Sequence, residues 1–140
     1  MNEKNKPHVL VAASPGSRHC VAKSLGNRFT SHTVSSLSEA LLHYGPHIDL
    51  VVCSLCFDES RMFDFLRHLN ARSDKDVRPF LCINVQEQPL SESTIRSIDI
   101  ASRSLGAVGF IDLRQWNGKY GNAEAALKFQ CFVEETLQGR

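Results

Sequence analysis

The sequence predicts a doubly wound (βα)5 domain, which is a three-layer α/β sandwich built on one parallel sheet. Short apolar runs alternate with amphipathic stretches five times along the chain. Strands that are apolar throughout must be covered on both faces, and a β–α repeat does this with a helix layer on each side. The chain of 140 residues also has the length of one ordinary domain. We therefore expect a single domain over residues 8–138, with residues 1–7 as an extended or disordered tail.

Five runs have the composition of β-strands. Four are apolar over most of their length, whereas the second is polar, which is typical of a strand at a sheet edge. In chain order, the predicted strands are 8–13, 29–34, 48–55, 80–85 and 108–113.

The intervening stretches have the periodicity of helices, with apolar residues three and four positions apart. Ser36 and Glu39 form a capping box, because each side chain can satisfy a free amide of the other. Gly26 and Gly106 are expected to end their helices. The predicted helices are 17–25, 36–44, 61–69, 91–105 and 122–138.

Composition and charge exclude several classes of protein. The hydrophobic fraction of 42% and the charged fraction of 22% are those of a globular domain. Sixteen Lys and Arg against fifteen Asp and Glu leave a net charge of +1, so nucleic acid and anionic membranes are not expected partners. No apolar run approaches the roughly 20 residues that span a bilayer, and the polar N-terminus lacks a signal segment. We expect a soluble cytoplasmic protein.

Local sequences connect this pattern to a known family. The first strand leads into Ala-Ala-Ser-Pro at 12–15, Asp49-Leu50 opens the third strand, and Gly106-Ala107 precedes the fifth. In these features, and in the order and spacing of its segments from about residue 7 to residue 137, the chain resembles the CheY-like receiver domains of two-component response regulators. The resemblance implies the strand order 2-1-3-4-5 and a role in signal transduction.

The resemblance also locates the residues that would carry phosphoryl transfer. Receivers use an acidic pair to hold Mg²⁺, which requires hard oxygen ligands, and an Asp that accepts the phosphoryl group. A hydroxyl and a Lys then position and neutralise the phosphoryl oxygens. In that order, the five positions here are Ala12 and Ala13, Ser54, Asn84 and Leu113. All five are changed, so we expect no phosphorylation by the family's mechanism, no enzymatic activity, no bound metal and no cofactor.

Without this chemistry, the expected function is a phosphorylation-independent role in signalling or regulation through a protein partner, with a homodimer as an open alternative. The stretch 114–121 is long for an α/β loop and contains the only Trp. Aromatic side chains beside Arg and Lys on an irregular loop are typical of an interaction hot spot. The alternative is that the Trp folds back over the last helix. The residues predicted to form the interaction surface are Ile95, Phe110, Trp116, Tyr120 and Phe129.

Two other functions remain open at this point. Open α/β sheets bind ligands at the carboxyl ends of their strands, where Ala12, Ala13, Ser54 and Asn84 would line a neutral pocket for a small ligand or nucleotide.

The second is a thiol redox or metal module at Cys53 and Cys56, which form a CxxC pair. The pair does not stand at a helix N-terminus, as reactive pairs do, and zinc would need two further ligands, for which His19 and Cys20 are the candidates. Five cysteines do not indicate a disulfide framework. The six histidines are scattered without ligand spacing, and most are expected at the surface or at helix ends.

Overall fold

The computed structural model describes residues 6–72, 78–86 and 88–139, and in them five parallel strands form one sheet in the order β2-β1-β3-β4-β5. The predicted (βα)5 class and strand order are therefore confirmed. Most of the predicted tail lies outside the described residues, but the Pro7 carbonyl accepts a hydrogen bond from Thr30 N at 2.9 Å. The strands are β1 (His8–Ala12), β2 (Thr30–Val34), β3 (Leu50–Ser54), β4 (Phe80–Asn84) and β5 (Gly109–Asp112).

Helices cover the sheet on both faces. In chain order, those of the described residues are α1 (Arg18–Leu25), α2 (Leu37–His43), α3 (Phe57–Ser60), α4 (Met62–Asn70), α5 (Glu92–Ser104), α6 (Leu113–Tyr120) and α7 (Asn122–Gln138). Ser36 and Ser91 cap α2 and α5, because their Oγ atoms accept from Glu39 N and Thr94 N, each at 3.2 Å. The Ser36 half of the predicted capping box is thus confirmed, whereas the Glu39 carboxylate accepts from Ser35 N at 3.4 Å, one residue before the expected amide. No helix of the described residues has the length and apolarity needed to cross a membrane.

The sheet separates two hydrophobic clusters. Alternate residues of each strand face opposite sides, so Leu10 and Ala12 join the cluster under α2, α4 and α5, while Val9 and Val11 join the one under α1 and α7. Phenylalanine rings dominate the first cluster, where the centroids of Phe65 and Phe80 lie 5.4 Å apart in an edge-to-face arrangement. The carboxyl ends of the strands lie between the two clusters, next to the connecting loops.

The second cluster corrects one predicted interaction residue. Phe129 has no exposed surface and lies in the core with Ala125 and Val133, which are its neighbours on the same face of α7. Its assignment to the interaction surface is wrong. The reason is that α7 carries apolar residues around most of its circumference, so that helical spacing alone does not select the buried face.

The prediction of an irregular loop at 114–121 is also wrong, because most of this stretch is α6. The carboxylate of Asp112 accepts a hydrogen bond from Gln115 N at 3.2 Å and so caps the N-terminus of the helix. Gly121, with φ of 85°, ends it. An Asp before the first helical residue is a strong start signal, which the assignment of Asp112 to the fifth strand concealed.

The two edge strands, β2 and β5, each have a feature that suits an exposed edge. Of the residues in β2, only Val34 is buried, as its polar composition predicts. At the other edge, the Asp99 carboxylate accepts from Phe110 N at 2.9 Å and is itself paired with Arg103 Nε at 3.1 Å. The Asp99 carboxylate thus satisfies a backbone N–H group of the edge strand that would otherwise be free to bond another chain.

The turn α3 follows β3 directly and has unusual backbone angles. Asp58, Glu59 and Ser60 have φ values of 44°, 57° and 66°, which non-glycine residues rarely adopt. The Asp58 carboxylate accepts a hydrogen bond from Leu37 N at 2.8 Å and thereby ties this turn to the first residue of α2. The connection between β3 and α4 is therefore fixed against a neighbouring helix.

Gly26 and Gly118 give a matched test of the packing between α1 and α7. At Gly26, with φ of 70°, an added Cβ would lie 2.9 Å from Gln130 Nε2, which donates to the Ser24 carbonyl. We expect Gly26→Ala to lower the free energy of unfolding by about 1–2 kcal/mol. Gly118, inside α6, has open space around it, so Gly118→Ala should raise that free energy by about 0.5–1 kcal/mol. Urea denaturation measures both, and equal effects of the two substitutions would contradict the packing described.

Candidate functional site

The five positions singled out by the resemblance lie at the carboxyl ends of the strands and are all buried. Ala12, Ala13, Ser54 and Asn84 have no exposed surface, and Leu113 is 2% exposed. All five end a strand or directly follow one, and Leu113, which follows β5, is also the first residue of α6 and packs in the cluster under α1 and α7. The fold thus brings the five to one edge of the sheet and closes that edge.

Ser54 has a thiol and not a base as its side-chain neighbour. Its Oγ lies 3.6 Å from Cys56 Sγ, which in turn lies 3.9 Å from Ser14 Oγ. Ser14 Oγ then donates to Ser17 Oγ at 3.1 Å. A nucleophilic serine needs an adjacent group that takes its proton, and a thiol is a weak acceptor. This chain of hydroxyls and a thiol therefore does not activate Ser54.

A second polar contact at this edge was not predicted from the sequence. Asn84 Nδ2 donates to Asp112 Oδ1 at 3.2 Å, across the neighbouring ends of β4 and β5. The same Oδ1 caps α6, and Asn84 Oδ1 accepts from Gln86 N at 3.3 Å. Asp112 is 4% exposed, and its hydrogen bonds compensate for the burial of a carboxylate. Asn84, at the family's hydroxyl position, therefore holds the start of a helix.

These residues do not fit the Mg²⁺ ion that the resemblance implies. Mg²⁺ takes near-octahedral oxygen ligands, usually carboxylates, and methyl groups stand at both positions of the acidic pair. The carboxylate of Asp112 is engaged by Asn84 and by the backbone of α6. Among the described residues, no group of three or more His, Cys, Asp or Glu side chains is arranged to hold a metal.

The two cysteines of the CxxC pair face different surroundings. Cys53 is buried in the cluster under α2, α4 and α5, while Cys56 contacts the hydroxyls of Ser14 and Ser54. Burial, and secondarily the neighbouring Cys82, raise the pKa of Cys53 well above its usual value. Burial also raises the pKa of Cys82 to about 12. Protonated thiols are poor nucleophiles and poor metal ligands, so the geometry disfavours redox chemistry at this pair.

The proposed extra ligands lie elsewhere. His19 and Cys20 are exposed on α1 and line a groove of about 540 Å³ together with Asn117 of α6 and Asn122 of α7. The structure therefore does not assemble the sequence-predicted set around Cys56.

Four of the predicted interaction residues lie on or beside α5, β5 and α6. Ile95 and Phe110 line a groove of about 490 Å³ between α5 and the edge of the sheet, although Phe110 itself is only 8% exposed. Trp116 is half-buried against the cluster under α1 and α7 and also lines a groove of about 470 Å³ along α7. The partial burial supports the alternative that Trp116 folds back over the last helix, and its part in an interaction stays a prediction. The ring of Tyr120 lies 4.6 Å from Lys128 Nζ.

A contact between histidine side chains was also not predicted from the sequence. His8 Nδ1 and His32 Nε2 are 2.8 Å apart, and the ring of His47 meets that of His32 edge-on, with centroids 6.0 Å apart. No local spacing indicates this cluster, because its members come from β1, β2 and the segment before β3. Only the pairing of β1 with β2 brings the first two together.

Comparison with known proteins places this geometry in a fold family. Neither the family models nor the curated proteins give a match. Among solved structures, a Chloroflexus aurantiacus protein described as a response regulator is 15% identical, with a TM-score of 0.68 over 96% of this chain and 99% of that one. The chemotaxis response regulator CheY4 of Vibrio cholerae is 19% identical, with a TM-score of 0.64 over 94% and 99%.

The phosphorylated cyanobacterial phytochrome response regulator RcpA is 14% identical, with a TM-score of 0.66 over 96% of both chains. The structural class is a doubly wound α/β sandwich with the strand order 2-1-3-4-5. Within that class, the chain has the fold of the receiver domains of response regulators.

The double role of Asp112 can be tested by substitution. Asp112→Ala removes the cap of α6 and the partner of Asn84, so we expect it to lower the free energy of unfolding by about 1–3 kcal/mol. Asp112→Asn keeps an oxygen at the cap and should recover at least half of that loss. The fluorescence of Trp116, the only tryptophan, follows α6 directly during urea denaturation.

Asp64→Ala is the matched control. Asp64 pairs with Arg67 at 3.3 Å on an exposed surface, so its loss should cost no more than about 0.5 kcal/mol. An Asp112→Ala variant as stable as this control would show that the Asn84–Asp112 contact does not support α6.

Proposed function

We propose that this chain is a cytoplasmic receiver-like domain that acts in signal transduction or regulation by contacting a protein partner, without enzymatic activity and without phosphoryl transfer. The receiver fold supports the signalling role, since the structures it is similar to are response regulators. The burial and the uncharged side chains at the strand ends support the absence of phosphoryl transfer.

One observation carries the second half of the proposal. At the five positions where a receiver would bind Mg²⁺ and accept a phosphoryl group, the side chains are uncharged and at most 2% exposed. A phosphoryl donor cannot reach a hydroxyl that has no accessible surface. A transferred phosphoryl group would also lack the cations that stabilise its developing charge.

The same burial argues against a small ligand or nucleotide at this edge. Ala12, Ala13, Ser54 and Asn84 would have to supply the walls of the pocket, and none of them has exposed atoms. A binding pocket for a molecule of that kind usually encloses several hundred Å³. The strand ends therefore favour a closed scaffold over a ligand site.

The surface that we assign to the partner is formed by α5, β5, α6 and α7. Ile100 on α5 is 59% exposed and Leu127 on α7 is 53% exposed, which is unusual for large apolar side chains in the described part of the chain. The groove between α5 and the sheet edge and the groove along α7 come together at α6. Gln115 lines the first and Trp116 lines the second. An apolar surface with a central aromatic residue and a charged rim has the composition of a protein interface.

Incubation with acetyl phosphate and Mg²⁺ tests the absence of phosphoryl transfer. Intact-mass spectrometry should detect no phosphoryl adduct, and beryllofluoride should leave the amide spectrum unchanged. The RcpA response regulator, which has been obtained in a phosphorylated form, is the positive control. Ser54→Asp alone should not gain labelling, because the acidic pair and the Lys are absent as well. A stoichiometric adduct on Ser54 in the unmodified chain would refute the proposal.

A pull-down with matched surface variants tests the partner surface. Leu127→Glu and Trp116→Ala should weaken capture of a specific partner about tenfold or more, since truncating a hot spot costs about 2 kcal/mol. Leu42→Glu is the control, because Leu42 is 82% exposed on α2 and lies outside the proposed surface. A partner retained by Leu127→Glu and lost with Leu42→Glu would place the interface on the other side of the molecule.

A further inference from the structure

The rings of His8 and His32 form a direct hydrogen bond between two adjacent strands. Nδ1 of His8 and Nε2 of His32 are 2.8 Å apart, and the ring centroids are 5.1 Å apart with an interplanar angle of 17°. At that separation, one nitrogen must carry a hydrogen and the other must offer a lone pair. If both rings were doubly protonated, both facing nitrogens would be donors and the contact would be repulsive.

The surroundings of this bond add further positive charge on acidification. His47, from the segment before β3, meets His32 at 6.0 Å between ring centroids, and His43, at the end of α2, also lowers the affinity of His32 for a proton. The acidic group beside them is Asp49, whose carboxylate accepts from the backbone N–H of His8 at 2.8 Å. One proton on the pair still leaves a donor facing an acceptor, and it is a second proton, with both rings charged, that opposes the contact.

The element that this contact holds is an edge strand of the sheet. β2 lies at the edge and pairs only with β1. Its side chains are polar or half-exposed apart from Val34, so it contributes little to either hydrophobic cluster. A cross-strand pair of side chains adds about 0.2–1 kcal/mol to the backbone ladder that holds such a strand.

We propose that His8, His32 and His47 form a pH switch that fixes the edge strand β2 to β1 while the His8–His32 pair holds a donor against an acceptor, and releases it when both of these rings are protonated. No third ligand is arranged around the pair for a metal within the described residues, so the cluster responds to protons. Release of β2 would expose a different edge of the sheet, on the side opposite to β5. This proposal does not depend on the proposed partner surface.

The direction of the response follows from proton linkage. Burial, followed by the charges of His8, His47 and His43, lowers the pKa of His32 below its ordinary value of 6.5. The unfolded or released strand then binds more protons than the native one, so acid favours release. The stabilisation is complete above about pH 6.5 and is lost as the pH falls through the lowered pKa of His32.

Hydrogen exchange of the full chain, with EDTA present, tests the proposal. Between about pH 7.5 and about pH 5.5, we expect protection factors of amides in residues 30–34 to fall about tenfold more than those in residues 109–112. His32→Gln and His8→Gln should abolish this difference. His68→Gln, at an exposed histidine of α4, should preserve it.

A titration of the histidine ring resonances by NMR gives a second readout on the unmodified protein. The His32 ring should titrate below its ordinary value of 6.5, and its titration should change in His8→Gln. Independent titration of the two rings at ordinary values, or a fall in protection that is the same in His32→Gln as in the unmodified chain, would overturn the proposal.

Discussion

Uncharged side chains at the carboxyl ends of β1, β3 and β4 allow that edge of the sheet to close. Burying an ionised carboxylate without a partner costs several kcal/mol or more, so a cluster of them must stay solvated or hold a cation. Alanine, serine and asparagine carry no such penalty when their polar atoms are hydrogen-bonded. Here the three positions that are acidic in the receiver pattern carry two methyl groups, of Ala12 and Ala13, and the hydroxyl of Ser54, and none has exposed surface.

The buried carboxylate of Asp112, at the same edge, illustrates the same constraint. Asp112 is buried, but Asn84 and the N-terminus of α6 both donate to it. The partial positive charge of a helix N-terminus favours a carboxylate at that position. The result is a connection from the sheet to α6, which holds Trp116 against α7 and shapes both grooves of the proposed partner surface. Closing the strand ends and building that surface are therefore parts of one arrangement.

The sequence predicts the sheet well and the site less completely. Strand positions and topology follow from apolar runs, because a buried parallel strand leaves a continuous hydrophobic pattern. The helix α6 was missed because Asp112 can be taken either as the end of a strand or as a helix cap, and Gly118 weakens the helical pattern. The contact between Asn84 and Asp112 joins residues 28 positions apart, and the contact between His8 and His32 joins residues 24 apart. No local periodicity encodes such pairs, and only the register of the assembled sheet defines them.

The strand ends thus form a closed edge whose buried carboxylate is already hydrogen-bonded, and we expect this edge to have no affinity for a divalent cation. A titration of the isotope-labelled protein with Mg²⁺, followed by amide NMR, tests it most directly. We predict that the resonances of Ala13, Ser54 and Asn84 shift no more than those of Leu50 and Phe80, at the opposite ends of β3 and β4, at any Mg²⁺ concentration used. A saturable shift confined to those three residues would contradict it.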